Sequence, residues 1–351
     1  MAWARPANTR SEVDDAGRCL ASPKGSSPDV PGESLAVINN WRSAHNYPLH
    51  AITMTLRERA KKVDQTRLIA QRIKRLRSIE AKLRRFRQMQ LSRMNDIGGC
   101  RAVVQTVSHV DTLVSIYERA RAKNPRRGHE FVRKYDYIKS PKSDGYRGVH
   151  LVYKYRTVSK SQSAWNGLRI EVQIRSRLQH AWATAVETVD AFTGQALKSN
   201  IGEECWKQFF ALMGSILALK ERRPIVPETP TTEVALRKEL RALYDQQRMG
   251  ATLWGMSTAV EHIAEKDKEA KLFLLELDTS QKVLYVRGYD EKRQPQAFAR
   301  STELEKAHRD RPEMQVVLVS VGSAKALRRA YPNYYLDLSS FLREVDQAIA
   351  T

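Results

Sequence analysis

The sequence predicts an α/β fold, and three observations lead to that prediction. Apolar residues recur at helical spacing over residues 35–93, a stretch without glycine. Short segments rich in β-branched and aromatic residues then occupy 101–107, 149–155 and 168–174, each bounded by turn-forming residues. Helical segments separate and follow these strands, as expected when helices cover a sheet.

Composition divides the chain into four parts. Residues 1–33 mix proline, glycine, serine and charged residues without periodicity, which predicts a disordered arm. Residues 34–222 form the first predicted domain, which ends where prolines cluster at 224–230. A helical connector over 223–266 and a small C-terminal α/β domain over 267–351 complete the prediction.

The same patterns predict the elements of each domain. In the first domain a helix at 110–122 and a loop at 124–148 join the first two strands, and helices continue from 178 to 219. The predicted elements of the C-terminal domain are a hairpin at 271–277 and 282–289, a strand at 314–321, and helices at 302–309, 323–330 and 338–349.

The charge balance indicates a polyanionic partner. The chain has 351 residues and a formal net charge of +21, with ordinary hydrophobic content of 42%. Such a charge attracts RNA, DNA, nucleotides or acidic membranes, although composition alone leaves a merely soluble basic protein equally open. Cys19, Cys100 and Cys205 lack the spacing of a zinc site or disulfide framework. We predict a soluble cytoplasmic protein without a signal peptide or membrane span.

Asp96 is the first acidic residue of interest. It opens the segment Asp-Ile-Gly-Gly-Cys-Arg at 96–101, immediately before an apolar strand, and no phosphate-binding P-loop occurs in the chain. Phosphates would therefore have to be held by side chains and a metal ion. The alternative interpretation is that Asp96 only ends a helix.

Glu171 is the second acidic residue of interest. Strict alternation places Ile170 and Val172 on one face of a strand and Glu171, Gln173 and Arg175 on the other. Two carboxylates on neighbouring strands would suit Mg²⁺ and phosphoryl chemistry, whereas the plain alternative is a solvated sheet face.

Residues 135–150 interleave tyrosines with lysines and arginines, a pattern typical of loops that stack on bases and hold phosphates. Gly145 and Gly148 allow the turns that would present Tyr146. A purely structural loop is the alternative.

Four segments together resemble the signature of RelA/SpoT synthetases. They are Asp-Ile-Gly-Gly-Cys-Arg at 96–101, Asp-Tyr-Ile-x-x-Pro-Lys-x-x-Gly-Tyr-Arg-x-x-His at 136–150, Glu-x-Gln-Ile-Arg at 171–175, and Arg-Ile-Lys-x-x-x-Ser-Ile-x-x-Lys at 72–82. The last of these resembles the ATP-side helix of that family. The resemblance spans about residues 35–219 and implies a mixed β-sheet flanked by helices, related to nucleotidyltransferase folds.

The resemblance also implies an activity, namely Mg²⁺-dependent transfer of pyrophosphate from ATP to a 3′-hydroxyl. By the family pattern Arg72, Lys74, Lys82 and Arg101 would bind ATP. Asp96 would bind the metal, and Glu171 would help to hold the metal or activate the acceptor 3′-hydroxyl. Asp96, Glu171 and Tyr146 would form the catalytic set. Lys142, Tyr146, Arg147 and His150 would hold the acceptor.

The acceptor is less clear from the resemblance. Tyr135 stands where alarmone synthetases usually carry lysine, and Asp144 replaces a usual asparagine, which weakens the case for GDP or GTP. Residues 145–155 and 177–184 resemble the toxic small synthetases, in particular the fused toxin–antitoxin CapRel-like type. That likeness implies the 3′-CCA end of tRNA as acceptor. It also implies a self-inhibiting C-terminal domain, a zinc-finger relic without cysteines, that senses a phage protein.

In that arrangement Tyr331 and Tyr334 resemble the element that blocks the ATP site, although they could simply pack between the last strand and helix. Three functions therefore stay open. They are a tRNA pyrophosphokinase, a (p)ppGpp synthetase that uses GDP or GTP, and a non-catalytic RNA-binding regulator.

Overall fold

The computed structural model describes residues 3–22, 30–123, 128–193, 204–247, 249–257, 261–264, 270–311, 313–321 and 323–350. These residues form a mixed β-sheet with packed helices, which confirms the predicted fold class. The strands are β1 (Leu68–Ile73), β2 (Gly98–Val104), β3 (Glu130–Asp136), β4 (Val149–Lys154), β5 (Arg169–Ser176), β6 (Glu261–Ala264), β7 (Leu272–Asp278), β8 (Val283–Tyr289) and β9 (Met314–Val321).

The helices within the same residues are α1 (Arg10–Ala21), α2 (Gly32–Ala44), α3 (Asn46–Lys61), α4 (Leu76–Arg85), α5 (Val107–Lys123), α6 (Arg177–Thr193), α7 (Glu204–Lys220), α8 (Glu233–Gln246), α9 (Met249–Met256), α10 (Gln294–Ala307), α11 (Ala324–Ala330) and α12 (Ser339–Ile349). None of the helices described is long and apolar enough to cross a membrane.

One sheet runs through both predicted domains. Across the described residues its order is β3-β4-β5-β2-β1-β9-β7-β8-β6. The pairs β2·β5 and β6·β8 are parallel and the other neighbours are antiparallel. Strand β9 pairs with β1, placing Val321 opposite Ala70 and Val319 opposite Arg72. The boundary predicted at residue 222 therefore separates elements that share a sheet.

Strand β1 corrects the prediction of continuous helix through residues 35–93. Its segment Leu68–Ile73 pairs with β2 on one side and with β9 on the other. Both partners come later in the chain, and β9 lies more than two hundred residues away. A six-residue apolar segment fits a short strand as well as a helical turn, so distant pairing decided its conformation. The resemblance placed Arg72 on a helix, whereas it lies on this strand.

The predicted loop 124–148 also contains a strand, β3, although residues 124–127 lie outside the described part. A register irregularity between Phe131 and Arg133 interrupts the alternation that would have revealed it. Strand β2 begins at Gly98, earlier than predicted. A Cβ atom at this residue would lie 2.6 Å from the Ile170 side chain, so Gly98 permits close packing within the sheet.

The prediction of a disordered arm is wrong for residues 3–22. Helix α1 begins with a reciprocal capping box in which the Thr9 hydroxyl accepts from the Glu12 amide and the Glu12 carboxylate accepts from the Thr9 amide. Its residues Val13 and Leu20 are fully buried. This packing comes from contacts that the local composition does not encode. Residues 23–29 lie outside the described part.

The end of the chain packs into a shared core. Helices α6, α7, α8 and α12 enclose a cluster in which Phe341 of α12 contacts Phe209 and Phe210 of α7, with ring centroids 6.2 and 5.8 Å apart. The predicted helical connector 223–266 contains α8 and α9 but ends in the strand Glu261–Ala264. Helix α12 therefore ties the C-terminus to the first part of the chain.

Candidate active site

One face of the sheet carries the predicted functional residues. The alternation in β5 is as predicted, since Ile170, Val172 and Ile174 are buried beneath α3 and α5. Parallel pairing places Gly99 beside Glu171. We call the opposite side of β1, β2, β4 and β5 the polar face. Its residues are Arg72, Arg101, His150, Glu171, Gln173 and Arg175.

Asp96 lies at the start of β2 between two ammonium groups. Lys74 Nζ and Lys82 Nζ each lie 2.9 Å from one of its carboxylate oxygens. Burial alone would raise the pKa of this carboxyl, but the two lysines lower it well below its ordinary value. Lys82 projects from α4 and Lys74 from the short segment between β1 and that helix, so the structure brings together three residues that the resemblance had named separately. The group is a preformed pairing of a carboxylate with two cations.

Glu171 is held by neighbours on the same face. Its Oε1 lies 3.0 Å from His150 Nδ1, and its Oε2 accepts a 2.7 Å hydrogen bond from Gln173 Nε2. Burial would raise the pKa of the carboxyl, but His150 and Gln173 lower it below the ordinary value. The charge of Asp96 raises the pKa of Glu171, so the two carboxylates interact electrostatically. An ionised Glu171 in fixed orientation follows from these contacts.

Tyr146 adjoins Glu171 through His150. The Tyr146 hydroxyl lies 2.5 Å from His150 Nε2 and accepts a 2.8 Å bond from Arg175. Lys142 Nζ lies 5.2 Å from the centre of the Tyr146 ring. The structure thus brings Lys142, Tyr146 and His150, which the resemblance named for the acceptor, together beside Glu171.

Arg147 does not join the other residues that were predicted to bind the acceptor. Its side chain is 3% exposed and turns away from the polar face, where it donates to the carbonyl oxygens of Pro224 at 2.8 Å and Ile138 at 3.4 Å. It follows Tyr146 directly in the loop segment Gly-Tyr-Arg-Gly, whose two glycines have positive φ. Arg147 therefore anchors the loop instead of reaching an acceptor.

The predicted ATP-binding arginines meet the C-terminal part of the chain. Arg101 donates a 2.6 Å hydrogen bond to the carbonyl of Ala330, and its guanidinium lies 5.4 Å from the Tyr331 ring centre. The Tyr331 hydroxyl donates to the carbonyl of Gln71 in β1 at 3.1 Å. Burial raises the pKa of Tyr331 to about 12, so its hydroxyl stays protonated. Tyr331 and Arg101 form one buried contact.

Helix α6 adds residues to this face that the sequence did not rank highly. Burial alone would lower the pKa of Arg72, but Glu187 and the other acidic groups around the guanidinium raise it. Burial, with nearby Arg101 and other cations, lowers the pKa of His180 well below its ordinary value. His180 and Glu187 lie two turns apart on one helix, a spacing that could have identified both. Neutral His180 and the Glu187 side chain thus border the arginines.

A second contact joins the C-terminal part to α2 and the start of α4. Glu305 of α10 lies 2.7 Å from Arg42 and accepts a 3.2 Å bond from the amide of Leu76, the first residue of α4. Beside it Arg75 donates to Gln315 of β9. Nothing in the sequence pattern signals these contacts, because the paired residues are more than two hundred positions apart.

Asp96 and Glu171 could hold Mg²⁺ together with water and substrate phosphates, but they are too few to hold a metal ion without such additional ligands. Among the residues described, no group of three histidine, cysteine, aspartate or glutamate side chains could hold a metal. Mg²⁺ commonly uses one or two carboxylates and takes its remaining ligands from water and substrate phosphates. Asp96 and Glu171 offer this donor set, and Lys74 and Lys82 now supply positive charge at Asp96.

Comparison with protein families gives one match. Residues 71–190 match the family described as "Region found in RelA / SpoT proteins". The matched range contains the residues from Arg72 to Glu171 and ends before Tyr331. The chain therefore carries a RelA/SpoT-type pyrophosphokinase domain. Comparison with curated proteins returned no match.

Several solved structures are similar to this chain. A GTP pyrophosphokinase family protein from Streptococcus pneumoniae shares 22% identity, covering 50% of this chain and 85% of that one, with a TM-score of 0.39. Small alarmone synthetase 1 from Bacillus subtilis, bound to its product pppGpp, shares 20% identity over 60% and 93% of the two chains, with a TM-score of 0.37. The Type VI effector Tas1, in complex with its immunity protein, shares 16% identity over 62% and 98%, with a TM-score of 0.29. Sequence identities and TM-scores this low do not identify the acceptor.

Proposed function

We propose that this protein transfers the β,γ-diphosphate of ATP to the 3′-hydroxyl at the CCA end of tRNA. One observation carries the proposal. Asp96, just before β2, and Glu171, on the paired strand β5, are partly buried carboxylates whose charges interact, with lysines on one side and a tyrosine on the other. Such a face joins a polyphosphate site to a base-stacking site.

The ATP side of the proposed site is β1, the start of α4 and β2. Arg72 would stack on the adenine, and Lys74, Lys82 and Arg101 would hold the phosphates. These cations are partly or fully shielded from water, where charge neutralisation of a phosphoryl group is most effective. Mg²⁺ held by Asp96 and Glu171 would neutralise phosphate charge when bound.

The proposed step needs positioning more than covalent chemistry. The acceptor 3′-oxygen attacks the β-phosphorus of ATP, the bond from that phosphorus to the oxygen shared with the α-phosphate breaks, and AMP leaves. The hydroxyl proton passes to the Glu171 carboxylate, which His150 and Gln173 hold in place. Tyr146 and Lys142 would hold the acceptor nucleotide against this carboxylate.

The charge of the protein favours RNA over a mononucleotide as acceptor. The net charge is +21, and arginines on and after α4 are exposed beside the ATP side, namely Arg77, Arg84, Arg85 and Arg87. Each phosphate that they neutralise would release counterions, so tRNA affinity should fall steeply with salt. A salt-independent affinity for tRNA would contradict this part of the proposal.

Self-inhibition belongs to the same proposal. The contacts of Tyr331 with Arg101 and of Ala330 with the same guanidinium would compete with ATP phosphates. Tyr334 is buried beside Arg72 and would crowd the adenine. Release by a phage protein in the cytoplasm rests on the resemblance alone.

The test offers the full-length protein Mg²⁺ and ATP labelled in its terminal phosphates, with deacylated tRNA, GDP or GTP as separate acceptors. The variants are Glu171→Gln, Tyr331→Ala and, as a matched control, Glu130→Gln on the exposed edge strand β3. Truncation near residue 219 is unsuitable, because it would expose Phe209 and Phe210, which pack against Phe341. Tyr331→Phe keeps the ring on Arg101 and removes only the bond to Gln71.

We expect label on tRNA, more label with Tyr331→Ala, none with Glu171→Gln and no change with Glu130→Gln. Label on GDP or GTP alone would make the protein an alarmone synthetase. Binding of RNA without transfer in any variant would favour the non-catalytic regulator.

A further inference from the structure

Strand β3 and the residue that follows it carry tyrosines that the proposed reaction leaves without a role. Tyr135 and Tyr137 are partly exposed, and their rings are nearly parallel at 9°, with centroids 5.8 Å apart. The Arg133 guanidinium lies 5.7 Å from the Tyr135 ring centre, and Lys142 Nζ lies 4.4 Å from that of Tyr137. We call Arg133, Tyr135, Tyr137 and Lys142 the aromatic ladder.

The β-bulge in β3 places Arg133 and Tyr135 on the same side of the sheet as the polar face. Phe131 packs against Tyr153 on the buried side, with ring centroids 5.6 Å apart. Regular alternation would put Arg133 and Tyr135 on that buried side as well. The register shift after Phe131 reverses the alternation, and Tyr135 then pairs with His150 of β4. Lys134, between them, points to the helical side and pairs with Glu118 of α5.

The aromatic ladder leads directly to the proposed catalytic carboxylate. Tyr137 makes edge contacts with Tyr146 and His150, at 5.6 and 5.3 Å between ring centroids. His150 in turn contacts Glu171. In the sheet Tyr135 lies two strands from β5, or about 10 Å at the usual strand spacing. The row therefore runs from the sheet edge to Glu171.

A single acceptor nucleotide would use only part of this row. With its base on Tyr146 and its 3′-hydroxyl at Glu171, it leaves the Tyr135 ring and the Arg133 charge unused. Parallel aromatic rings with cations at either end are the surface on which successive bases of single-stranded nucleic acid stack, with their phosphates beside the cations. The aromatic ladder is thus longer than the binding of one mononucleotide requires.

We propose that the aromatic ladder selects a single-stranded nucleic-acid 3′ end by stacking the bases that precede the acceptor nucleotide. This inference rests on the proposed function, because it takes Glu171 as the place where the 3′-hydroxyl reacts. It assigns acceptor selectivity to Tyr135, with Tyr137 as the connection between Tyr135 and the acceptor site.

The experiment measures binding to the full-length protein without ATP. The probes are a 5′-fluorescein-labelled hexaribonucleotide ending in CCA, followed by anisotropy, and unlabelled AMP and GDP, followed by calorimetry. The variants are Tyr135→Ala and Tyr135→Phe. Tyr289→Ala is the matched control, since Tyr289 is also a strand tyrosine beside an arginine, with Arg293 5.8 Å from its ring centre, but in the C-terminal part of the sheet.

Tyr135→Ala should weaken hexamer affinity about tenfold, the loss of one stacked base, and change mononucleotide affinity less than twofold. Tyr135→Phe and Tyr289→Ala should bind like the unaltered protein. If Tyr135→Ala leaves hexamer affinity unchanged, or weakens hexamer and mononucleotide equally, the aromatic ladder has no selective role while the proposed function stands. If the unaltered protein binds only mononucleotides, the nucleic-acid acceptor itself is refuted and the inference with it.

Discussion

Glu305→Gln is the substitution that tests most directly how the C-terminal part is held against the ATP side. Glu305 and Arg42 form an ion pair at 2.7 Å whose side chains are only 9% and 10% exposed. The Arg42 guanidinium and the Glu305 Oε2 atom are close, but their geometry is not that of a hydrogen bond. The other carboxylate oxygen accepts from the amide of Leu76, one of the free donors at the start of α4. Glutamine keeps the shape and removes the charge.

The expected magnitude follows from burial. Removing one member of a buried ion pair costs about 3 kcal/mol at the lower end of the usual range, because the remaining charge stays buried without compensation. Losing a carboxylate at a helix N-terminus adds roughly 0.5 kcal/mol. Since 1.4 kcal/mol corresponds to a factor of ten, local opening of the contact should become more frequent by a few hundredfold.

Hydrogen exchange measured by mass spectrometry reports this opening at β9, whose amides pair with β1 and β7. Peptides covering Met314–Val321 should exchange a few hundredfold faster in Glu305→Gln. The matched control is Glu303→Gln on the same helix, whose pair with Arg300 is exposed and worth less than about 1 kcal/mol. Equal exchange in the two variants would refute the argument that the Arg42–Glu305 contact holds β9 in place.

Two further predictions concern stability. Gly145 has φ +88°, and a Cβ atom there would lie 2.7 Å from the Phe210 carbonyl and 3.0 Å from Trp182. Gly145→Ala should therefore cost at least 2 kcal/mol more in urea unfolding than Gly128→Ala, which has φ +84° and no neighbour within 4 Å; equal costs would mean that only backbone strain matters. Burial lowers the pKa of His45 from 6.5 to about 4, so between these pH values the unfolded chain binds a proton at His45 and the folded protein does not. Stability should fall by about 3 kcal/mol as the pH drops from 6.5 to 4, and His45→Gln should remove that part of the decline; an unchanged decline would contradict this assignment.

Local patterns accounted for most of the candidate site. The two-residue period of β5 predicted that Glu171 and Gln173 share a face, and the structure confirms it. The family resemblance named Asp96, Lys74 and Lys82 as site residues, and the structure brings these three side chains together. The prediction that Arg147 binds the acceptor was wrong, because a motif records neighbours in sequence and not the direction in which each side chain points.

Longer-range features could not be read in the same way. Strand β1 looked helical because its pairing partner β9 lies more than two hundred residues later. Strand β3 was hidden by its bulge, and with it the aromatic ladder. The N-terminal segment looked disordered by composition, yet Asp14 accepts bonds of 2.7 and 2.9 Å from the Ser92 amide and hydroxyl, next to the loop that leads to Asp96.

The sequence by itself determined the fold class and the face on which Glu171 lies, because each depends on residues within a few positions of one another. Only the tertiary structure decided that β9 joins the sheet beside Arg72, that Tyr331 lies against Arg101 and that Glu305 pairs with Arg42. These contacts gain their free energy from burial between segments far apart in the chain, and no local periodicity carries that information.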